Sequence, residues 1–326
     1  MIQSKINIRS VGSPRIWLVF ITLLYFSFSA QAQKHRVIIS TDIGGSDPDD
    51  YQSLVHLMLY ADTLDMVGLV SSPPFQGRKE HILEVINAYE KDYPKLKLVS
   101  SDYPTADYLR SITAQGAIDT QNSIQPQGEI SEGAQLIIKE SKKDDNRPLY
   151  VLVWGSITDI AQALKSAPEI KSNLRVYSIG SWNTVQDTSA RNYVFDEHPD
   201  LWFIESNTTF RGMYMGGFQE KDYGNLSFIS SHVKDFGALG ELFFQKKPDI
   251  KMGDTPSLLY LLDGDPADPE SESWGGRYAR TDHGPNYWTD MQDPALAEKD
   301  RPGAKTVSKW RVNFLDDWKL RMSYLK

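Results

Sequence analysis

The stretch Val37-Ile38-Ile39-Ser40-Thr41-Asp42-Ile43-Gly44-Gly45-Ser46-Asp47-Pro48-Asp49-Asp50 decides how the rest of the chain is read. Its opening Val37-Ile38-Ile39-Ser40 is an apolar, β-branched run closed by a serine, the mark of a strand buried on both faces. Two glycines then permit a tight turn. Asp49 and Asp50 open a segment to Ala61 in which Leu54, Leu57, Met58 and Tyr60 recur at helical spacing. Four carboxylates fall within the nine positions from Asp42 to Asp50. Crowded carboxylates repel one another and raise each other's pKa unless a cation sits among them. Capping of the helix N-terminus accounts for one or two of these aspartates, but not for Asp42 at the strand end.

Working outward, the same strand–helix alternation continues. Met66–Val70 reads as the second strand, followed by a helix carrying Ile82, Leu83, Val85, Ile86 and Tyr89. Leu96-Lys97-Leu98-Val99 reads as a third strand. A helix with Ala134, Leu136, Ile137 and Ile138 leads to the strand Leu149–Val153; a loop and short helix over Gly155–Leu164 precede a strand at Arg175–Ile179. Apolar runs separated by helices predict an α/β fold, an open and mostly parallel sheet with helices on both faces. In such a sheet ligands bind at the carboxyl ends of the strands, where the aspartate-rich loop lies. Beyond Phe210 glycine, proline and aromatic residues become dense, and a last helical segment runs from Thr306 to Leu325. No linker divides the chain, so residues 33–326 read as one domain with irregular, aromatic-rich C-terminal elements folded over the sheet.

The chain has 326 residues, no cysteine, and 35 basic against 43 acidic residues, a formal charge of −8. Without cysteine there are no disulfides, thiolate metal sites or cysteine nucleophiles, so a metal here would take oxygen ligands and be hard, Ca²⁺ or Mg²⁺. The acidic balance argues against a nucleic-acid partner. Lys5, Arg9 and Arg15 precede an apolar run, Ile16–Phe28, and the small-residue ending Ala30-Gln31-Ala32. This is the pattern of a cleaved signal peptide over residues 1–32, so a secreted or periplasmic protein with no membrane association after cleavage is expected. Cleavage leaves 32 basic against 43 acidic residues, a charge of −11.

The strand followed by Thr41-Asp42-Ile43-Gly44 and the helix-opening Asp49-Asp50 resembles the N-terminal signature of nucleoside hydrolases. Trp154-Gly155-Ser156-Ile157-Thr158-Asp159, Arg191-Asn192-Tyr193-Val194-Phe195-Asp196 and Gly253-Asp254-Thr255-Pro256-Ser257 are similar to later motifs of that family, in the same order. Trp274-Gly275-Gly276-Arg277-Tyr278 and the ending Trp310-Arg311 through Asp317 resemble one branch, the nucleoside-hydrolase-like domain of secreted cellulose-binding proteins. In that branch a further C-terminal domain is usual, and this sequence stops before one.

The resemblance implies a Ca²⁺-dependent hydrolase of N-glycosidic or related glycosidic bonds. Water activated at the cation attacks the anomeric carbon, with Asp42 as metal contact and catalytic base. Asp50, Asp254 and the backbone carbonyl of Thr158 match further metal ligands, and Asp49 and Asn192 match contacts to sugar hydroxyls. Trp274, among glycines, offers a stacking face for a sugar, as does Trp288. Departures from the family pattern are as informative. Gly253 stands where members often carry a histidine that protonates the leaving base. Ala190 replaces an acidic sugar contact, and Ser71-Ser72-Pro73-Pro74 replaces an asparagine-bearing loop. His283, ahead of His198, is the candidate substitute acid and ligand contact. The alternative is a carbohydrate-binding protein that keeps the metal and the hydroxyl clamp without turnover. On either reading the partner is a small nucleoside or carbohydrate, and an oligomer is compatible with the sequence.

Overall fold

Each β-branched run becomes a strand whose alternate side chains enter two different cores, as the two-residue period of a strand requires. Val37 and Ile39 pack on one face of the sheet and Ile38 on the other; Leu152 and the pair Val151/Val153 divide in the same way. In the computed structural model, which describes residues 33–120, 124 and 129–326, residues Lys34–Lys326 make one compact unit. The expected signal peptide lies outside the described residues. Among the described residues, no helix is long and apolar enough to cross a membrane.

The sheet has eight strands: β1 (Arg36–Thr41), β2 (Asp65–Ser71), β3 (Thr113–Gln115), β4 (Leu149–Val153), β5 (Leu174–Ile179), β6 (Trp202–Ser206), β7 (Tyr278–Arg280) and β8 (Tyr287–Asp290). Their order is β3-β2-β1-β4-β5-β6-β8-β7, and every pair is parallel except β7 with β8. The sheet is open, as the sequence pattern predicts. Chain order reverses between β1 and β4, so the loops after these strands diverge and leave a crevice at their carboxyl ends.

Helices α1 (Asp49–Leu59), α2 (Lys79–Val99), α3 (Ala106–Ser111), α4 (Glu132–Ser141), α5 (Thr158–Ser166), α6 (Trp182–Gln186) and α7 (Thr188–Glu197) are joined in the second half by α8 (Asn225–His232), α9 (Gly237–Lys246), α10 (Thr255–Leu262), α11 (Lys305–Ser308) and α12 (Arg311–Ser323). The first core gathers α1, α2, α8, α9, α10 and α12; the second gathers α4, α5 and α7. The last helix buries a stripe at helical spacing: Phe314 and Trp318 are fully buried, with Trp310 at its edge.

Two expectations are corrected. Leu96–Val99 is not a strand but the last turn of α2. The buried stripe Ile82, Val85, Ile86, Tyr89 continues to Leu96 at helical spacing, while Leu98 is 88% exposed. The Leu96/Leu98 alternation is a coincidence of composition, and the third strand is instead the short edge strand β3. The C-terminal region is irregular between short elements, as expected, but one of its aromatic residues is not where its composition places it. β8 adds to the sheet parallel to β6, and Trp288, read as a stacking face, is a buried strand residue, 2% exposed.

Candidate metal centre

Three segments converge at the crevice. The β1–α1 loop brings Asp42, Asp49 and Asp50, the chain entering α10 brings Gly253 and Asp254, and the β5–α6 turn brings Gly180, Ser181, Trp182 and Asn183. They line a cleft of about 150 Å³ with Phe75, Trp154, Phe210, Arg211, Tyr214 and Lys251 around it. One carboxylate oxygen from each of Asp49, Asp50 and Asp254 lies within 4.8 Å of the others. Asp50 and Asp254 are each 4% exposed, whereas Asp42 and Asp49 are half-buried.

These aspartates are not serving as helix caps. Pro48 is the N-cap of α1, and Asp254, at the N-cap of α10, makes no capping hydrogen bond with its side chain. Its Oδ2 is buried with no hydrogen-bond partner. Asp50 accepts a hydrogen bond from the Thr41 hydroxyl. Burial, then the charge of Asp42, holds the Asp50 carboxyl well above the usual carboxylate range. Burial together with Asp50, Asp49 and Asp42 does the same to Asp254, against a smaller opposing pull from Lys251. Asp42 and Asp49 are each pushed up to about 7, again chiefly by burial, with Asp49 acting on Asp42 and Asp50 on Asp49. Buried acceptors that face one another, with one oxygen unpartnered, fit a hard, oxygen-bound cation held by Asp49, Asp50 and Asp254.

The frame around the cluster is built from uncharged hydrogen bonds. Gln52, one turn into α1 and fully buried, donates to the carbonyls of Lys247 (3.1 Å) and Asp249 (2.8 Å). Its Oε1 accepts from the N–H groups of Lys251 (2.9 Å) and Met252 (3.0 Å). All of its polar capacity thus goes into fixing the segment between α9 and α10 that delivers Asp254. Trp154 Nε1 donates to the Ser257 hydroxyl (2.7 Å), which donates to the Asp254 carbonyl (2.7 Å), tying the end of β4 to α10. Asn183 donates to the carbonyls of Trp154 and Ile179 and fixes the β5 turn to the same frame. Phe75, Ser181 and Met252 hold φ values of 71°, 57° and 44°; they are three of the five described non-glycine residues with positive φ. Such backbone persists only where its surroundings over-determine it, and here it borders one cleft.

Asp42 lines the cleft as expected, next to the Asp49/Asp50/Asp254 trio. Asp49, matched in sequence to a sugar contact, is part of that trio. Gly253 explains its own identity, because a Cβ there would come within 2.8 Å of Asp49 Oδ2. The remaining sequence candidates are not among the residues lining the cleft. Thr158 opens α5 fully buried, its hydroxyl donating to Asp187. Asn192 lies on α7, whose packing is with the second core, and accepts from Arg191 at 3.3 Å. Trp274 packs against the first core. His283 stacks on Phe195 with ring centroids 3.3 Å apart and bonds its carbonyl, and His198 contacts Tyr193. No described histidine lines the cleft.

The sequence reading missed Asn183, Ser181, Arg211 and Tyr214. The first two follow the carboxyl end of a strand, so the crevice rule could have found them. Arg211 and Tyr214 lie on the 3-10 turn Thr209–Met213 and its cap, positioned by Asp290, which accepts from the N–H groups of Asn207, Thr208 and Thr209 at 2.9–3.1 Å. Nothing local announces that turn.

No curated protein matches the chain. Among solved structures, a nucleoside hydrolase-related protein from Saccharophagus degradans, associated with carbohydrate metabolism, superposes with a TM-score of 0.70 at 26% identity, over 90% of this chain and 72% of that one. A plant nucleoside hydrolase (TM-score 0.52, 14% identity, 89% of this chain and 99% of that one) shares the fold. So does the type III effector XopQ, solved with adenosine diphosphate ribose (0.53, 8%, 90% and 95%). The family model described as cellulose-binding Sde182, nucleoside hydrolase-like domain, matches residues 36–278, and the chain belongs to that family.

Proposed function

We propose that the protein is an exported, Ca²⁺-dependent hydrolase of N-glycosidic or related glycosidic bonds, acting on a sugar held in the Asp42–Asp254 cleft. The observation that carries this reading is the buried, unpartnered Asp254 Oδ2 among three carboxylates that share one 4.8 Å space. A bound Ca²⁺ would neutralise these carboxylates and polarise the oxygen of a water or sugar hydroxyl. Asp49, Asp50 and Asp254 hold that cation. Asp42, beside them and itself shifted toward neutrality, accepts the proton of the attacking water. The surrounding carboxylates stabilise the positive charge that develops on the sugar ring.

The family's cellulose-binding description and the carbohydrate association of the Saccharophagus relative support a sugar ligand and a site of action outside the cell. Since no described histidine lines the cleft, the leaving group takes its proton from solvent or departs as a stabilised anion. That same feature favours a second reading, sugar binding without turnover. A panel of nucleosides and glycosides incubated with the mature protein, with and without chelator, separates the two. Hydrolysis should need the cation and fall by about 10²–10⁴-fold in Asp42→Asn. Binding without release of any sugar across the panel would leave the second reading standing.

A further inference from the structure

The cleft wall opposite in charge to the aspartates has an unused cation. Arg211 donates from Nη1 to the Tyr214 hydroxyl (3.1 Å) and from Nη2 to the Ser181 hydroxyl (3.2 Å). Its Nε is buried with no partner, and among the described residues it makes no ion pair. The guanidinium lies over the Phe210 ring, 4.9 Å from the centroid, which holds its plane. Because both hydroxyls already accept from Arg211, their own protons are left to donate. Beside the Arg211 Nη groups these two hydroxyls therefore line the cleft with protons and no acceptor, while Asp42, Asp49, Asp50 and Asp254 in the same cleft supply acceptors.

We propose that Arg211, with Ser181 and Tyr214, recognises a carboxylate on the ligand, so that the sugar taken by the cleft is an acidic one of the uronic type. A planar carboxylate matches the fork of a guanidinium and has lone pairs for the two hydroxyl donors as well. A single free positive charge suits a monoanion better than a phosphate dianion. The other cation lining the cleft, Lys251, is already paired with Asp47. The acidic group also sets the ligand's direction, its hydroxyls toward the aspartates and its carboxylate toward Arg211.

This inference rests on the reading of the cleft as a sugar site and names the class of sugar. It is tested by calorimetric titration of the calcium-saturated protein with D-glucuronate, D-glucose and glucose 6-phosphate. Glucuronate should bind about tenfold or more tighter than glucose, the worth of one charge-assisted contact. Arg211→Gln should abolish that preference, and a calcium-induced rise in melting temperature equal to the parent's controls for misfolding. The double variant Ser181→Ala/Tyr214→Phe, which retains the charge, should lose about half of it on a logarithmic scale. Equal binding of glucuronate and glucose, tighter binding of the phosphate, an unchanged preference in Arg211→Gln, or no binding of any of the three overturns the assignment. The readout is affinity, so a protein that fails every turnover assay can still show the preference. Conversely, metal-dependent hydrolysis of neutral glycosides alone would leave the functional reading intact and remove this one.

Discussion

Two groups of buried carboxylates in this molecule are treated in opposite ways. Asp290 and Asp92 are enclosed by N–H donors: Asp290 receives three backbone groups from Asn207–Thr209, and Asp92 receives those of Ala238 (3.0 Å) and Leu239 (2.8 Å) at the start of α9. Glu205 is likewise paired, with Arg191 at 2.6 Å and the Tyr287 hydroxyl at 2.5 Å. Asp50 and Asp254 are as deep, with Asp42 and Asp49 half-buried beside them, yet the nearest charged neighbours of all four are chiefly one another. The first group is built into the scaffold and is complete without a ligand. The second has few donors, the Thr41 hydroxyl on Asp50 among them, and on the proposed reading a cation would complete it, so burial of a carboxylate is not in itself a functional sign; the scarcity of donors around it is.

The sharpest way to break this contrast is to remove a scaffold carboxylate. Asp290→Ala leaves three backbone N–H groups of the turn that carries Arg211 without their acceptor. Each buried donor so exposed costs about 1 kcal/mol or more, so a loss of about 3 kcal/mol is expected in urea-induced unfolding. The loss should be the same with calcium or chelator present. A loss that appears only with calcium would place Asp290 in the cation site instead.

Next in size is the effect of the cation itself. Burial raises Asp42 and Asp49 to about 7 from the unfolded value of about 4, so without a cation these groups take up protons on folding. Their contribution is fully present below about pH 4 and is lost as pH rises through about 7. Thermal melts of the chelated protein should therefore fall between pH 5 and pH 8. Calcium in about hundredfold excess over its Kd should restore about 4 °C at pH 8 and little at pH 5. Identical melting temperatures at pH 8 with and without calcium would show that the cluster holds no calcium.

How much of this contrast the sequence carries depends on how local each group is. Asp42, Asp49 and Asp50 are legible because one strand, two glycines and one helix start place them within nine residues. Asp254 is legible only through its Gly-Asp-Thr-Pro-Ser motif, since nothing in the spacing links it to Asp50. Asn192, His283 and Trp274 carry the right chemistry but are not among the residues lining the cleft: Asn192 is exposed on α7, His283 stacks on Phe195, and Trp274 packs at the edge of the first core. Arg211, Ser181 and Asn183 are placed by topology, just beyond the carboxyl ends of the consecutive strands β5 and β6, and the parallel pairing of those strands brings them together. The same limit misplaced the third strand: over four residues, period two and period 3.6 share positions, and the deciding residues lie a turn earlier in α2.

The smallest expected effect has the most telling sign. Asp254→Asn removes a charge from the repelling cluster while keeping its shape, and the new amide can donate to the carboxylates of Asp49 or Asp50. In chelator at pH 8 this variant should be at least as stable as the parent, with a gain of about 1 kcal/mol. In calcium it should gain less from the cation than the parent does, because one of three carboxylate ligands is gone. The matching change at the scaffold site, Asp290→Asn, turns an amide N–H toward backbone N–H donors and should destabilise in both conditions. If Asp254→Asn also destabilised the chelated protein, Asp254 would be a structural carboxylate like Asp290. The four cleft aspartates would then have to be held by protein contacts rather than by an ion. The unpartnered Oδ2 argues the other way, since a group that nothing donates to has no bond to lose when it is made neutral.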